Sequence, residues 1–452
     1  MGRTTVKGGG LGVGAGAALC VGAVLGPGAL SLASAAAAVA GPASLLAWSV
    51  LIAASLPIAL AFAALGARHP DGGGVATFVR KAFGARTAAP VGWWFYWAVP
   101  LGVPAAALIG GEYVASALGL GRAAVPVIAL VVLAGAYTAN LAGLRLSGGL
   151  QLLLLGLLAL LLCVAVAVAG AHVETEHFTP FLPHGWASVG GAASVLFFAF
   201  AGWEAVSHLS AEFTAPRRDL PRATLRAWIV VAVLYAGLAV VTIGVLGAAA
   251  GDTTTPLTLL LERGIGPAAH PVAAAAALLL TFGAVNAYLA GGARLGAALG
   301  RDGDMPRRLT VDRAGSDRAG GDQAAAAPRR SLTLLAAVST AVTALAAAGA
   351  VDLATLMRAT SACLAAVTLA GLLAATVLLP RRGPLRAGAA VGAALVAVVL
   401  CFCGPFLLLP AVLGAAAWGL SRLRRGYRVP SAAPTAQESP LPAASATTSG
   451  DV

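Results

Sequence analysis

The chain has 452 residues, of which 59% are hydrophobic and only 10% charged, with a mean hydropathy of +0.89. A soluble fold of this length needs far more surface charge, so the composition excludes that class and points to an all-α polytopic membrane protein. The formal net charge of +12 invites a nucleic-acid reading, but the basic residues sit in short loops between apolar runs, where they report topology instead.

Apolar runs bounded by charge, Pro or Gly predict about twelve transmembrane helices, near residues 11–39, 44–66, 91–118, 123–141, 147–171, 188–210, 225–250, 269–299, 331–349, 352–379, 385–401 and 404–420. Each approaches the roughly 20 residues a helix needs to cross a bilayer. The last two are short and share a Cys403-Gly404-Pro405 turn, which leaves eleven open. Arg3 and Lys7 precede the first run as in a signal peptide, but that run is too long for a signal h-region and lacks a cleavage site, so it reads as a retained span.

The first span is broken at Gly22-Ala23-Val24-Leu25-Gly26-Pro27-Gly28. Proline removes a backbone donor and glycine lets the chain open, so N–H groups after the break become free at the positive end of the second half-helix, where a carboxylate fits. A kinked helix using glycine for tight packing is the competing reading. The sixth span breaks in the corresponding place, at Phe200-Ala201-Gly202-Trp203-Glu204. Irregular backbone at bilayer depth survives only where it lines a cavity or ligand, and paired broken helices point to a secondary transporter's binding site. Glu204 is costly inside a span. It either accepts hydrogen bonds from the opened backbone or carries a proton, and the structural role is the one expected.

Elsewhere the chain is less informative. The loop at 172–186 carries three histidines, but their spacing matches no metal-ligand pattern. The five cysteines lie in or beside apolar spans without CxxC spacing and read as packing residues. The loop at 301–330 and the tail after Arg428 read as flexible. Counting Lys and Arg by alternate loops places 26 on the side of both termini and three on the other, so both termini are expected in the cytoplasm. No P-loop, catalytic nucleophile, metal or cofactor motif is read. Only Lys7 and Lys81 are lysines and Ala and Gly abound, as in a GC-rich bacterial genome.

Three segments together resemble the amino acid–polyamine–organocation superfamily. Gly26-Pro27-Gly28 sits where its members unwind helix 1. Pro70-Asp71-Gly72-Gly73-Gly74-Val75-Ala76-Thr77-Phe78-Val79 with Ala82-Phe83-Gly84 looks like its loop after helix 2, and Glu212-Phe213-Thr214-Ala215-Pro216-Arg217-Arg218-Asp219-Leu220-Pro221-Arg222-Ala223 like its motif after helix 6. With Phe282-Gly283-Ala284-Val285-Asn286-Ala287-Tyr288, the wording is most similar to bacterial exporters of methionine and branched-chain amino acids. The resemblance implies a LeuT-like five-plus-five inverted repeat over residues 11–379, two additional helices at 380–420, a short cytoplasmic N-terminus at 1–10 and a flexible cytoplasmic tail at 421–452.

By position, free backbone at Gly28 and Ala29 would hold the substrate carboxylate, carbonyls near Val24 and Ala201 would take the ammonium, Phe198 would gate the site, and Gly26, Gly202 and Glu204 complete the substrate-binding set. Tyr96, Trp97, Asn286 and Ser361 are weaker lining candidates. Two departures stand out. Pro27 replaces a residue that in many relatives offers a hydroxyl and an N–H, so one expected carboxylate contact is missing, and the fifth span lacks the lysine of some proton-coupled relatives. Span 8 also lacks the Ser/Thr pair of a sodium site.

The expected function is a plasma-membrane secondary transporter, an exporter of neutral apolar amino acids such as methionine, leucine, isoleucine and valine. A proton is the candidate coupling ion, and no nucleic acid or enzymatic activity is expected. An importer or exchanger of the same superfamily is the alternative, and a polytopic sensor or membrane enzyme is the reading from another class.

Overall fold

A computed structural model of the chain describes residues 12–69, 74–143, 148–312 and 327–425. Segments read above at 1–11, 70–73, 144–147, 313–326 and 426–452, Arg145 and most of the tail among them, lie outside the described residues. The described chain is helical, and eleven helical stretches are long and apolar enough to cross a membrane, joined by a shorter apolar helix, α1 (Val13–Val24). The first of those stretches is two elements, α2 (Leu32–Ala40) and α3 (Ser44–Arg68). A tight turn at Gly41–Ala43 separates them, where Gly41 takes φ 58°, a conformation open to glycine at little cost. With α1 and α2 as halves of one broken span, twelve crossings result.

The remaining elements are α4 (Gly74–Phe83), α5 (Ala85–Ala117), α6 (Ala124–Leu141), α7 (Gly148–Gly170), α8 (Trp186–Phe200), α9 (Pro216–Leu246), α10 (Pro256–Ile265), α11 (Ala269–Asp302), α12 (Arg307–Thr310), α13 (Arg329–Ala347), α14 (Leu353–Leu378), α15 (Pro384–Phe402) and α16 (Leu408–Arg425). A 3-10 segment, Trp203–Glu212, follows α8.

Side-chain size decides which helices take the centre. In α5, Gly92, Gly102, Gly110 and Gly111 each stand where a Cβ would press on a neighbouring element, Leu299 and Thr281 of α11 and Thr360 of α14 among them. Helices in lipid associate through such close approaches, since the hydrophobic effect does not drive them together there. Accordingly α5 packs against α4, α6, α11, α13, α14 and α16. The leucine-rich α7 instead exposes Leu152, Leu153, Leu157 and Leu160, a surface suited to acyl chains.

Three expectations differ from the structure. Residues 74–83, read as loop, form α4, which buries Val75, Phe78 and Val79 and ends in Arg80 and Lys81. Likewise α10, between the seventh and eighth spans, buries Leu257, Leu260 and Leu261. Both are short and apolar on one face only, so they escape a search for fully apolar runs. The last helix continues to Arg425 rather than ending near 420, with the Arg422 guanidinium 3.5 Å over the Trp418 ring, a favourable cation–π contact at a helix end.

Candidate functional site

The first break opens three residues later than its glycines alone suggest. Gly22 stays helical, with Leu155 of α7 close to where its Cβ would be, so it serves packing. After Val24 the chain extends through Leu25 and Gly26 and enters a 3-10 turn at Pro27–Leu30 before α2 begins. Proline suits the first position of that turn because its fixed φ is preset and an N–H there would have no partner.

Within this stretch the polar backbone groups divide sharply. The Ala29 N–H donates to Gly26 O at 3.1 Å and the Ser31 N–H to Gly28 O at 3.2 Å. The Val24 carbonyl accepts from the Tyr235 hydroxyl of α9 at 3.2 Å, and the Leu30 carbonyl from Tyr113 of α5 at 2.6 Å. The N–H groups of Gly26 and Gly28 have no hydrogen-bond partner among the described residues. Of the groups assigned from sequence, Ala29 N–H and Val24 O are therefore engaged inside the protein, and the open donors are at Gly26 and Gly28.

The second break is tighter. Helix α8 ends at Phe200, Ala201 is extended, and Gly202 has φ 146°. A Cβ on Gly202 would strike the Ala23 carbonyl oxygen, so the end of α1 lies directly against this break. The Gly202 N–H donates to the Glu204 carboxylate at 3.1 Å, and the Ala205 N–H to Gly202 O at 3.0 Å. Glu204 is buried.

Phe198 links the breaks to the central helix. A Cβ on Gly28 would stand 3.0 Å from its ring, and one on Gly102 of α5 3.7 Å from it and 3.1 Å from Thr360. Behind it, Trp48, Phe200 and Tyr235 form an aromatic cluster with centroids 5.1–5.9 Å apart. The weaker candidates separate. Ser361 is fully buried with an unpartnered hydroxyl. Asn286 is tied to α6, its Oδ1 accepting from Asn140 Nδ2 at 2.7 Å. Tyr96 pairs with Ser331 of α13 at 3.3 Å, a contact between helices, and meets edge-on the ring of its chain neighbour Trp97, whose indole N–H is buried without a partner.

A cavity of about 250 Å³ lies against the first break, lined by Gly26, Pro27, Ala205, Gln151 of α7 and Tyr288 of α11 among apolar neighbours. A second, between α3, α8 and α15, reaches Phe200 and Trp203 from the other side, with Ser55 and Thr368 its only hydroxyls. Sequence reasoning missed Tyr113, Tyr235 and Tyr288 as site residues. The available signal was a phenol deep in an apolar span, which must find a polar partner or face a polar space. In the loop at 172–186, His177 is held by Gly244 O at 2.8 Å.

Two broken helices whose interruptions touch at the centre of a polytopic bundle define a membrane carrier. The amino acid permease family model matches residues 11–438, and the chain belongs to that family, within the amino acid–polyamine–organocation superfamily. It is 34% identical over 416 residues to YecA, an uncharacterised amino acid permease of Bacillus subtilis, covering 91% of this chain and 95% of that one. It is 35% identical over 293 residues to YjeH, an L-methionine/branched-chain amino acid exporter of Escherichia coli, covering 63% and 68%. To BcaP, a branched-chain amino acid permease of B. subtilis, it is 29% identical over 313 residues, covering 65% and 67%.

Proposed function

We propose that this protein exports neutral apolar amino acids, methionine, leucine, isoleucine or valine, across the plasma membrane by alternating access. The observation that carries the reading is the pair of unpartnered N–H groups at Gly26 and Gly28 beside the Phe198 ring. Open donors in a dry setting suit an α-carboxylate, and an aromatic lid suits an apolar side chain. The likeness to YjeH supports both the substrate class and the outward direction. Residues 11–379 form the transport core, 380–425 the added helices, and both termini face the cytoplasm, as the 26-to-3 distribution of basic residues argues.

Counterflow of labelled methionine, leucine, arginine and glutamate in proteoliposomes, with and without a pH gradient, tests the reading. Methionine and leucine exchange while arginine and glutamate do not; stronger competition by the charged amino acids contradicts it. Glu204→Gln in the same vesicles addresses coupling. Because the carboxylate holds Gly202 N–H, the variant keeps counterflow at reduced turnover with an unchanged pH profile. Loss of pH-driven flux with intact exchange assigns the coupled proton to Glu204 instead.

A further inference from the structure

Tyr288 is the one described tyrosine whose hydroxyl has no hydrogen-bond partner. Tyr96 and Tyr137 pair with Ser331 and Thr333, and Tyr113 and Tyr235 hold the carbonyls of Leu30 and Val24. Tyr288 lines the cavity at the first break with Gly26 and Pro27, and a Cβ on Gly26 would stand 3.7 Å from its oxygen. Glu204 and Tyr235 are near enough to interact with it electrostatically. A phenol hydroxyl that makes no hydrogen bond to the protein, in a mostly apolar cavity whose other polar side chain is Gln151, is suited to an acceptor that arrives with a ligand.

The break itself lacks one donor. Gly26 and Gly28 present open N–H groups, but Pro27 between them has none. A carboxylate has two oxygens with about four acceptor positions, so two N–H groups leave acceptor positions to be filled. We propose that Tyr288 is the third donor: its hydroxyl, reaching over Gly26 from α11, binds the substrate carboxylate where Pro27 cannot. The inference rests on the carboxylate lying at the first break, as argued under the proposed function.

The test is binding of labelled L-methionine to purified full-length protein, with L-methionine and L-methioninamide as competitors. The amide keeps the side chain and ammonium but removes the negative charge. Tyr288→Phe weakens methionine binding about tenfold or more, as loss of a charge-assisted hydrogen bond does, and changes methioninamide binding by less than about twofold. Pro27→Ala added to Tyr288→Phe restores a backbone N–H and recovers part of the methionine affinity. Tyr288→Gln, which keeps a donor, retains more of the preference for methionine than Phe does and serves if the Phe variant is not monodisperse.

Unchanged methionine binding in Tyr288→Phe, or an equal loss for both competitors without recovery by Pro27→Ala, overturns the assignment. Gly28→Leu separates the two levels of the argument. If it binds methionine normally, the carboxylate is not at this break and the whole site reading fails. If it loses binding while Tyr288→Phe does not, only the role of Tyr288 fails.

Discussion

The two breaks solve the same problem, exposed backbone at bilayer depth, by opposite means. At the first, phenols from α5 and α9 hold the outward carbonyls of Leu30 and Val24, and the N–H groups of Gly26 and Gly28 are left open. At the second, Gly202 is satisfied within its own segment: its N–H donates to Glu204 and its O takes Ala205 N–H, while the Trp203 indole N–H is buried without a partner. The first break is thus held from outside and keeps backbone donors for a ligand, whereas at the second Gly202 is tied within its own segment and presents the surface against which the first is pressed.

Gly202→Ala attacks the shared surface and is expected to do the most damage. The added Cβ needs a backbone conformation that L-residues rarely adopt and meets the Ala23 carbonyl, which together cost about 3 kcal/mol or more. Loss of methionine binding with a clearly lower melting temperature is the expected result; a stable, fully binding variant would falsify the contact between the breaks. Removing the phenols comes next. Tyr113→Phe strands both Leu30 O and the Leu257 N–H, which donates to the Tyr113 hydroxyl at 3.2 Å, while Tyr235→Phe strands Val24 O alone. At about 1–3 kcal/mol for each buried group left unpaired, thermal denaturation ranks Tyr113→Phe as the more harmful, and the reverse order removes the argument that these carbonyls are held from outside.

Phe198→Ala leaves the fold intact and lowers apparent methionine affinity by about 1–3 kcal/mol, since it removes apolar cover over Gly28. Phe198→Trp is better tolerated. Equal transport by wild type and the Ala variant reduces the ring to packing. The smallest effect lies far from both breaks, at the start of α14, where Asp352 caps the helix by accepting from Thr355 N–H at 2.8 Å. That bond, with the side-chain hydrogen bond of Thr355 as first cause, lowers the Asp352 pKa below the ordinary aspartate value. The carboxylate therefore stabilises the fold above the ordinary aspartate range and loses that contribution as pH falls through its depressed pKa. Asp352→Ala costs about 1 kcal/mol at neutral pH and proportionately less in acid; a cost that grows on acidification refutes the capping account.

Much of this architecture is legible in the sequence because lipid imposes a length and a composition on every span, and because Gly26, Pro27, Gly28 and Gly202 interrupt helices wherever they stand together. The exact opening is not, since Gly22 and Gly28 look alike in sequence and only contacts with Leu155 and Phe198 separate packing from opening. Nor are the phenol clamps, because Tyr113 lies 83 residues from Leu30 and Tyr235 lies 211 from Val24. Asn286 looked available for the same reason. Its partner, Asn140, is 146 residues away, and nothing local announces the pair. Amphipathic α4 and α10 were hidden by the very rule that finds the spans.

Hydrogen–deuterium exchange of the purified protein, with and without saturating L-methionine, tests the central claim most directly, because it reads backbone N–H groups themselves. Methionine is expected to slow exchange in peptides spanning 22–31 and 197–205 and to leave α15 and α16 unchanged. Unaltered exchange at 22–31, or protection confined to the crevice between α3, α8 and α15, would contradict the account.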